Sequence, residues 1–169
     1  MTLAPASPTP IEWRAAMGRF PSGVTIVTCM SDSVPVGTTV NAFTSVSLEP
    51  PLLLVCLVHE NPALAPIERC GLFGVNFLAA EHHGLARQFG RESATDPFDG
   101  VSYVIQDGGA PQLQAACLFV QCALEQSHAA GDHKILVGRG LRIDHASTAA
   151  PLLYHKGSFP NPIDPKAWA

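Results

Sequence analysis

The sequence has few charged residues and no basic cluster. Only 14% of its 169 residues are charged, and the formal net charge is −4. An average globular protein carries roughly a quarter charged residues. Because nucleic-acid binding needs a basic face for the phosphates, this composition argues against a nucleic-acid partner. With 47% hydrophobic residues, it indicates instead a compact domain that hides further surface in an oligomer.

The motifs of several common enzyme classes are also missing. There is no P-loop and no Gly-x-Ser-x-Gly, and Gly138-Arg139-Gly140 lacks the third glycine of a dinucleotide fingerprint. The seven histidines include no His-Glu-x-x-His and no Cys/His ligand spacing, so no metal site is expected. No apolar run is long enough to span a membrane, and residues 1–10 lack the pattern of a signal peptide. We therefore expect no membrane partner.

The five cysteines are scattered, odd in number and without a Cys-x-x-Cys pair. Most lie in apolar, strand-like runs, which is typical of small buried thiols in a reducing compartment. The sequence therefore predicts a cytoplasmic protein.

Hydrophobic periodicity and turn residues predict a mainly β protein with short helices. Thr9 and Glu12 form a capping-box pattern around Pro10, which predicts a helix over residues 10–18. Further helices are expected at 62–69 and 81–89. Strands are expected at 24–29, 35–40, 52–58 (buried on both faces), 72–78, 101–105, 117–126, 135–143 and 152–155. Antiparallel strands in this number favour a closed or split β-barrel. We expect a disordered arm over 1–10, one domain over 11–160 and an extended tail over 161–169.

The segment from Gly37 to Leu52 combines five hydroxyls and the Asn41 amide with recurring apolar residues. Val40, Phe43, Val46 and Leu48 are expected to share an apolar face. Half-buried polar groups need hydrogen-bond partners. The segment therefore predicts a bound molecule that has a flat apolar body and many hydrogen-bonding atoms.

Three smaller patterns each allow two interpretations. In Gly131-Asp132-His133, the Asp can orient the His toward a ligand, or the motif is a turn with an exposed His. The segment from Tyr154 to Phe159 suits an anionic aromatic ligand, or it is edge-strand packing. Arg87 and Arg91 can reach a phosphate, or they complement a helix dipole.

Five motifs occur together in a familiar order: Phe20-Pro21-Ser22-Gly23-Val24-Thr25-Ile26-Val27-Thr28, Gly37-x-Thr39-x-Asn41-Ala42-Phe43-x-Ser45-Val46-Ser47-Leu48-x-Pro50-Pro51-Leu52, Phe73-x-Val75-Asn76, Gly131-Asp132-His133 and Pro151-Leu152-Leu153-Tyr154. Over residues 13–159 they resemble the short-chain flavin reductases, the reductase components of two-component flavin-dependent monooxygenases. The resemblance implies an antiparallel FMN-binding split β-barrel that forms a homodimer with flavin near the subunit interface. It implies reduction of FMN or FAD by NADH or NADPH, and transfer of the reduced flavin to a monooxygenase.

The resemblance also implies two sets of site residues. The flavin-binding set is Pro35, Val36, Gly37, Thr38, Thr39, Asn41, Ala42, Ser45, Ser47, Cys56, Leu57, Val58, Asn61, Phe89 and Arg91. The nicotinamide-binding set is His133, Lys156, Gly157, Ser158 and Phe159. No residue is assigned as a catalytic acid or base, because hydride transfer requires positioning rather than a proton donor.

One stretch departs from the family pattern. Many relatives hold the flavin phosphate with a Lys followed by hydroxyl residues after the strand of Cys56, whereas this chain has His59, Glu60, Asn61, Pro62 and Ala63. We expect the phosphate contact to shift to Arg91, or to backbone N–H groups at the start of the helix from Pro62.

Two other functions remain compatible with the sequence. One is a flavin-binding or redox-sensing protein without turnover. The other is a split-barrel oxidase of a pyridoxine-type amine, although the basic cluster that such a substrate phosphate requires is missing. The choices between FMN and FAD and between NADH and NADPH stay open.

Overall fold

The computed structural model describes residues 7–90, 96–145 and 147–160. In chain order its elements are α1 Pro10–Met17, β1 Ser22–Gly23, β2 Thr25–Ser31, β3 Val34–Val40, β4 Phe43–Leu48, β5 Pro51–Val58, α2 Leu64–Cys70, β6 Leu72–Leu78, a 3₁₀ helix Ala80–His82, α3 His83–Phe89, β7 Tyr103–Val104, β8 Gln112–Leu113, β9 Ala116–Ala130, β10 His133–His145 and β11 Leu153–Tyr154. Arg91 and the predicted tail at 161–169 lie outside the described residues. Within the described ranges, no helix combines the length and apolarity needed to cross a membrane.

Seven strands form the main sheet in the order β3-β2-β6-β9-β10-β5-β4, and each neighbouring pair is antiparallel. The two edge strands β3 and β4 are joined in the chain by only Asn41 and Ala42. At this junction the Cys56 N–H donates to the Ala42 carbonyl at 3.0 Å. The edges of the sheet are therefore brought together, and the sheet curls into a split barrel.

The barrel interior is filled by apolar side chains from the strands of the main sheet. Val27, Val55, Phe73, Val75 and Leu136 are each fully buried. Helix α2 packs against this interior through Ile67, and the helix ends at Gly71, whose φ of 71° is the left-handed conformation expected after a helix.

A second core cluster lies between β2, β6 and α3. It contains Ile26, Leu78, Phe89, Phe98 and Leu152. Phe89 and Phe98 meet edge to face with ring centroids 4.9 Å apart. This cluster fixes α3 against the barrel and so positions the residues that follow β3.

Two expectations about burial are wrong. Strand β5 is buried on one face only: Leu53, Val55 and Leu57 lie in the core, while the alternate face, which includes Cys56, is only half-buried. The reason is that no layer of the described chain covers the outer face of β5. Val40 at the end of β3 and Phe43 at the start of β4 face the core as expected, but Val46 and Leu48 of β4 are 49% and 92% exposed.

Element positions otherwise follow the sequence closely. The helix at the N-terminus and the strand Leu72–Leu78 are confirmed. Helix α2 begins at Leu64 rather than at Pro62. Strands β9 and β10 are longer than predicted because they pair with each other along a long hairpin. The predicted strand at 101–105 shortens to Tyr103–Val104.

Candidate functional site

Strand β3 carries the first part of the predicted flavin segment, and its successive side chains face opposite sides of the strand. Gly37 and Thr39 face helix α3, and the Thr39 hydroxyl donates to the Ala86 carbonyl at 2.7 Å. A Cβ at Gly37 would lie 2.6 Å from the ring of Phe89. Gly37 and Thr39 therefore allow α3 to pack closely on β3. In this packing the predicted flavin residue Phe89 lies in the core, where it is 4% exposed.

The opposite face of β3 is tied to the loop after β5. The buried Thr38 hydroxyl accepts a hydrogen bond from Asn61 Nδ2 at 3.1 Å, and Asn61 Oδ1 accepts one from the Ala63 N–H at 3.0 Å. The Leu64 N–H donates to the Asn61 carbonyl at 3.0 Å. The Ala63 and Leu64 amides therefore already have acceptors within the chain, and the expectation that N–H groups at the start of α2 hold a flavin phosphate stays a prediction.

The remaining predicted flavin residues lie on strands β3, β4 and β5 and at the junction between β3 and β4. Pro35 and Val36 are half-buried, and Ala42 and Ser45 are exposed. Ser45 and Ser47 flank a register shift between β4 and β5. Leu57 points into the core, whereas Cys56 and Val58 share the outer face. Burial raises the pKa of the Cys56 thiol, so Cys56 is neutral at pH 7.

A cleft of about 410 Å³ opens beside helix α3. It is lined by Val24, Thr39, Asn41, Ala86, Arg87, Gly90, Tyr154, Gly157 and Phe159, and we call it the α3 cleft. Thr39 and Asn41 come from the predicted flavin set, and Gly157 and Phe159 come from the predicted nicotinamide set. The structure therefore brings parts of both predicted sites into one cavity.

A second, larger cleft of about 700 Å³ lies beside helix α1 and is called the α1 cleft. It is lined by Ile11, Arg14, Ala15, Met17, Gly18, Arg19, Phe20, Asn41, Tyr154, Lys156 and Gly157. Because Asn41, Tyr154 and Gly157 line both clefts, the two are adjoining parts of one groove.

Sequence reasoning missed the contribution of α1 to this groove. The sequence did contain a signal for this contribution, because the capped helix carries Arg14 and is followed by Arg19 and Phe20. The capping box is present, with the Thr9 N–H and hydroxyl donating to Glu12 at 2.9 and 2.7 Å. No residue of α1 is buried, so the helix has no apolar face whose periodicity could have shown where it packs.

A tight turn at Lys156 and Gly157 shapes the wall that the two clefts share. Both residues have positive φ, 49° and 79°, and His155 pairs with Ser158 across the turn. This is the backbone twist of a two-residue hairpin turn. The Ser158 hydroxyl donates to the His155 carbonyl at 3.0 Å. The Lys156 N–H donates to the Gly18 carbonyl at 2.9 Å and fixes the turn to the end of α1.

His133 lies elsewhere, at the turn between β9 and β10. Its Nδ1 donates to Asp132 Oδ1 at 2.6 Å, and this bond holds the pKa of the Asp132 carboxyl below its usual value. His59 contacts the Gly131 carbonyl through Nε2 at 3.1 Å. Neither cleft is lined by His133, so this chain does not bring it together with Lys156 and Phe159 in one cleft.

In the described part of the chain, no group of three or more His, Cys, Asp or Glu side chains is arranged to hold a metal ion. His82 instead lies 3.5 Å from Glu81 at the surface.

Residues 17–162 match a protein-family model described as a flavin reductase like domain. The chain belongs to the flavin reductase family. This flavin reductase is 36% identical over 163 residues to HsaB, the reductase subunit of a flavin-dependent monooxygenase from Rhodococcus jostii (strain RHA1), with 94% of this chain and 83% of that protein covered. It is 39% identical over 154 residues to an NADH-dependent flavin reductase from a Rhodococcus species, with 89% and 85% covered.

Among solved structures, this flavin reductase is similar to SgcE6, an NADH:FAD oxidoreductase of Streptomyces globisporus C-1027 whose structure contains NAD and FAD fragments. The TM-score is 0.85 at 34% identity, covering 91% of this chain and 93% of that one. The family and the split-barrel fold implied by the sequence motifs are thereby confirmed. The individual flavin and nicotinamide contacts remain predictions.

Proposed function

We propose that this flavin reductase oxidises NADH or NADPH, reduces FMN or FAD, and releases the reduced flavin to a separate flavin-dependent oxygenase. The observation that carries the proposal is the α3 cleft, where Thr39 and Asn41 of the predicted flavin set meet Gly157 and Phe159 of the predicted nicotinamide set. The activities named for HsaB and for the Rhodococcus enzyme support the same reaction.

The lining of the α3 cleft fits a flat ring system with polar edges. Tyr154 and Phe159 lie with ring centroids 5.7 Å apart at 58° and provide aromatic walls. The exposed amide of Asn41, whose Nδ2 donates to Ser22 Oγ at 3.3 Å, adds donors and acceptors at the rim. Arg87 brings a positive charge to the same cavity. A flavin would be held by these residues, and when bound it supplies the hydride acceptor.

The role of the protein in this reaction is positioning. Among the described residues that line the α3 cleft there is no Asp, Glu, His, Cys or Ser, and the Thr39 hydroxyl there donates to a backbone carbonyl. These described residues therefore form no pair of nucleophile and base. Hydride transfer between two bound rings needs neither group, and it gains its rate from orientation at close distance. Water exclusion by Phe159 and Tyr154 would protect the reduced product.

The proposal is tested by mixing the purified protein with NADH or NADPH and with FMN or FAD while following absorbance at the nicotinamide band. We expect oxidation that depends on added flavin with at least one of the four pairs. Flavin binding, measured by quenching of flavin fluorescence, without oxidation in any pair would favour the non-catalytic alternative. The same four reactions measure the preference for each flavin and each nicotinamide.

We further propose that the protein is a homodimer. Apolar side chains are exposed on β4 and β10, with Leu48 at 92%, Leu141 at 49% and Ile143 at 59% exposure. Leu48 pairs with Pro51, and a Cβ added at Gly140 would lie 3.8 Å from the Pro51 carbonyl oxygen, so Leu48 and Leu141 lie at the same end of the sheet. Such a patch is typical of an interface between subunits. A single species of monomer mass in sedimentation at micromolar concentration would contradict the dimer.

We also propose that the protein acts in the cytoplasm. All five cysteines are free, and Cys29 and Cys122 are buried thiols in the core. Free buried thiols suit a reducing compartment. Fractionation of cells that produce the protein would test this location.

A further inference from the structure

The described lysines and arginines divide into two groups. Arg69, Lys134, Arg139 and Arg142 each lie within 4.0 Å of a carboxylate, namely those of Asp32, Glu68, Glu125 and Asp144. For Arg14, Arg19, Arg87 and Lys156, no carboxylate of the described residues lies within salt-bridge distance.

All members of the second group line the groove formed by the two clefts. Arg87 lines the α3 cleft, and Arg14, Arg19 and Lys156 line the α1 cleft. Among the described residues that line the two clefts, none is Asp or Glu. Since the whole chain has a formal net charge of −4, general basicity does not account for this concentration of positive charge. A groove lined by one sign of charge attracts ligands of the opposite sign.

Helix dipoles account for only part of the arrangement. Arg14 and Arg87 lie in the last turns of α1 and α3, where positive charge is favourable. Arg19 lies beyond the end of α1, and Lys156 lies on the hairpin turn that is bonded to Gly18. These two residues complement no helix end of their own, yet they line the same cleft.

The α1 cleft also contains apolar surface suited to a purine base. Ile11, Met17 and Phe20 line it and are 80%, 52% and 79% exposed. An exposed aromatic ring stacks favourably on a nucleic-acid base. Arginine side chains bind phosphate through paired N–H donors. Cations and apolar side chains thus occur together, as a nucleotide with its phosphates requires.

We propose that the α1 cleft binds the adenosine diphosphate arm of the nicotinamide dinucleotide, with Arg14, Arg19 and Lys156 on the pyrophosphate. Arg87, whose guanidinium lies 5.1 Å from the centroid of the Phe159 ring, contacts the same phosphates from the side of the α3 cleft. This inference rests on the proposed function, because it assumes that the nicotinamide ring lies in the α3 cleft. The shared wall at Gly157 gives the dinucleotide a continuous path between the clefts.

The test compares two hydride donors in Arg14→Gln, Arg19→Gln and the double variant. NADH carries the pyrophosphate, whereas 1-benzyl-1,4-dihydronicotinamide carries no phosphate. We expect each single variant to raise the KM for NADH by about threefold to tenfold with little change in kcat, since phosphate contacts at an exposed site are individually modest. The kinetics with the phosphate-free donor should match those of the unchanged protein.

Arg69→Gln is the matched control, because it removes the same charge from a residue that lines neither cleft and that pairs with Asp32 at 3.5 Å. This variant should leave the KM for NADH unchanged. Increasing salt should raise the KM for NADH more steeply in the unchanged protein than in the double variant.

A second readout is independent of turnover. Calorimetric titration with ADP should show binding to the unchanged protein and to Arg69→Gln, and at least tenfold weaker binding to the Arg14→Gln/Arg19→Gln variant. Equal ADP affinity in all three proteins would overturn the assignment. So would a raised KM for flavin with an unchanged KM for NADH, which would place the flavin phosphates in this cleft. ADP binding without flavin-dependent NADH oxidation would support the cleft and reject the proposed function alone.

Discussion

Gly37 lets the ring of Phe89 pack directly against the backbone of β3. The ring is buried and also meets Phe98, so it has little freedom to move away from an added methyl group. Through this contact a single glycine fixes the distance between β3, which carries Thr39, and α3, which carries Arg87. The shape of the α3 cleft therefore depends on the smallest residue in its neighbourhood.

We predict that Gly37→Ala destabilises the protein by about 1–3 kcal/mol, because overpacking a filled core forces side chains and backbone to shift. Its Cβ would lie 2.6 Å from the Phe89 ring. Urea unfolding measures the change.

Gly84→Ala is the control for this substitution. Gly84 lies in α3 with no atom within 4 Å of an added Cβ, so Ala there should stabilise the helix by about 0.5–1 kcal/mol. If Gly37→Ala were as stable as the unchanged protein, the packing argument for β3 and α3 would be wrong.

Among the elements, β6 has a structural role that its apolar sequence conceals. Its buried Asn76 donates through Nδ2 to the carbonyls of Ile26 and Pro111 at 3.1 and 3.3 Å, and its Oδ1 accepts from the Leu113 N–H at 2.8 Å. The Thr28 hydroxyl donates to the Pro111 carbonyl at 2.6 Å. One amide side chain thus joins β2, β6 and the segment that leads into β8.

Replacing Asn76 by Leu should cost about 2–4 kcal/mol of unfolding free energy, since it leaves the Leu113 N–H and the Pro111 carbonyl buried with fewer partners. Denaturant unfolding followed by circular dichroism gives the value. Gln114→Leu, at an exposed position, serves as the control and should change stability by less than about 0.5 kcal/mol. A loss no larger than that of the control would mean that the amide network contributes little.

The elements also show how far the sequence alone could lead. Strand Leu72–Leu78 was predictable because a run rich in Leu and Phe follows Gly71, and α1 was predictable from the side-chain chemistry of Thr9 and Glu12. The one-sided burial of β5 was not predictable, because an unbroken apolar run does not reveal whether one or both faces are covered.

For the candidate site, the motifs led to Thr39, Asn41, Gly157 and Phe159, which the fold does bring together in the α3 cleft. The same motifs did not lead to Arg14 or Arg19. Their position beside Lys156 depends on a hydrogen bond between Gly18 and Lys156, which are distant in the chain. The sequence shows the cations of this segment, but local pattern does not reveal which distant segment they meet.

At the scale of the whole molecule, buried thiols make stability depend on alkaline pH. Burial raises the pKa of both Cys29 and Cys122 to about 12, from an unfolded value of 9.0. Above pH 9 the unfolded chain loses these protons while the native protein keeps them. The unfolded state then binds fewer protons, so the free energy of unfolding falls as pH rises. Below pH 9 these two groups contribute no pH dependence.

We therefore predict a loss of stability between pH 9 and about 12 that becomes shallower in a Cys29→Ala/Cys122→Ala variant. The comparison uses the slope of unfolding free energy against pH, since the substitutions also lower stability by leaving small cavities. Identical slopes in the two proteins would contradict the prediction.

The hydrogen bond between Lys156 and Gly18 has a consequence for biosynthesis. The α1 side of the α1 cleft is synthesised before the hairpin turn at Lys156 and Gly157, so the groove cannot exist on a nascent chain that stops before this turn. If the cleft binds ADP, retention on an immobilised ADP resin would separate chains that contain the turn from chains that stop before it.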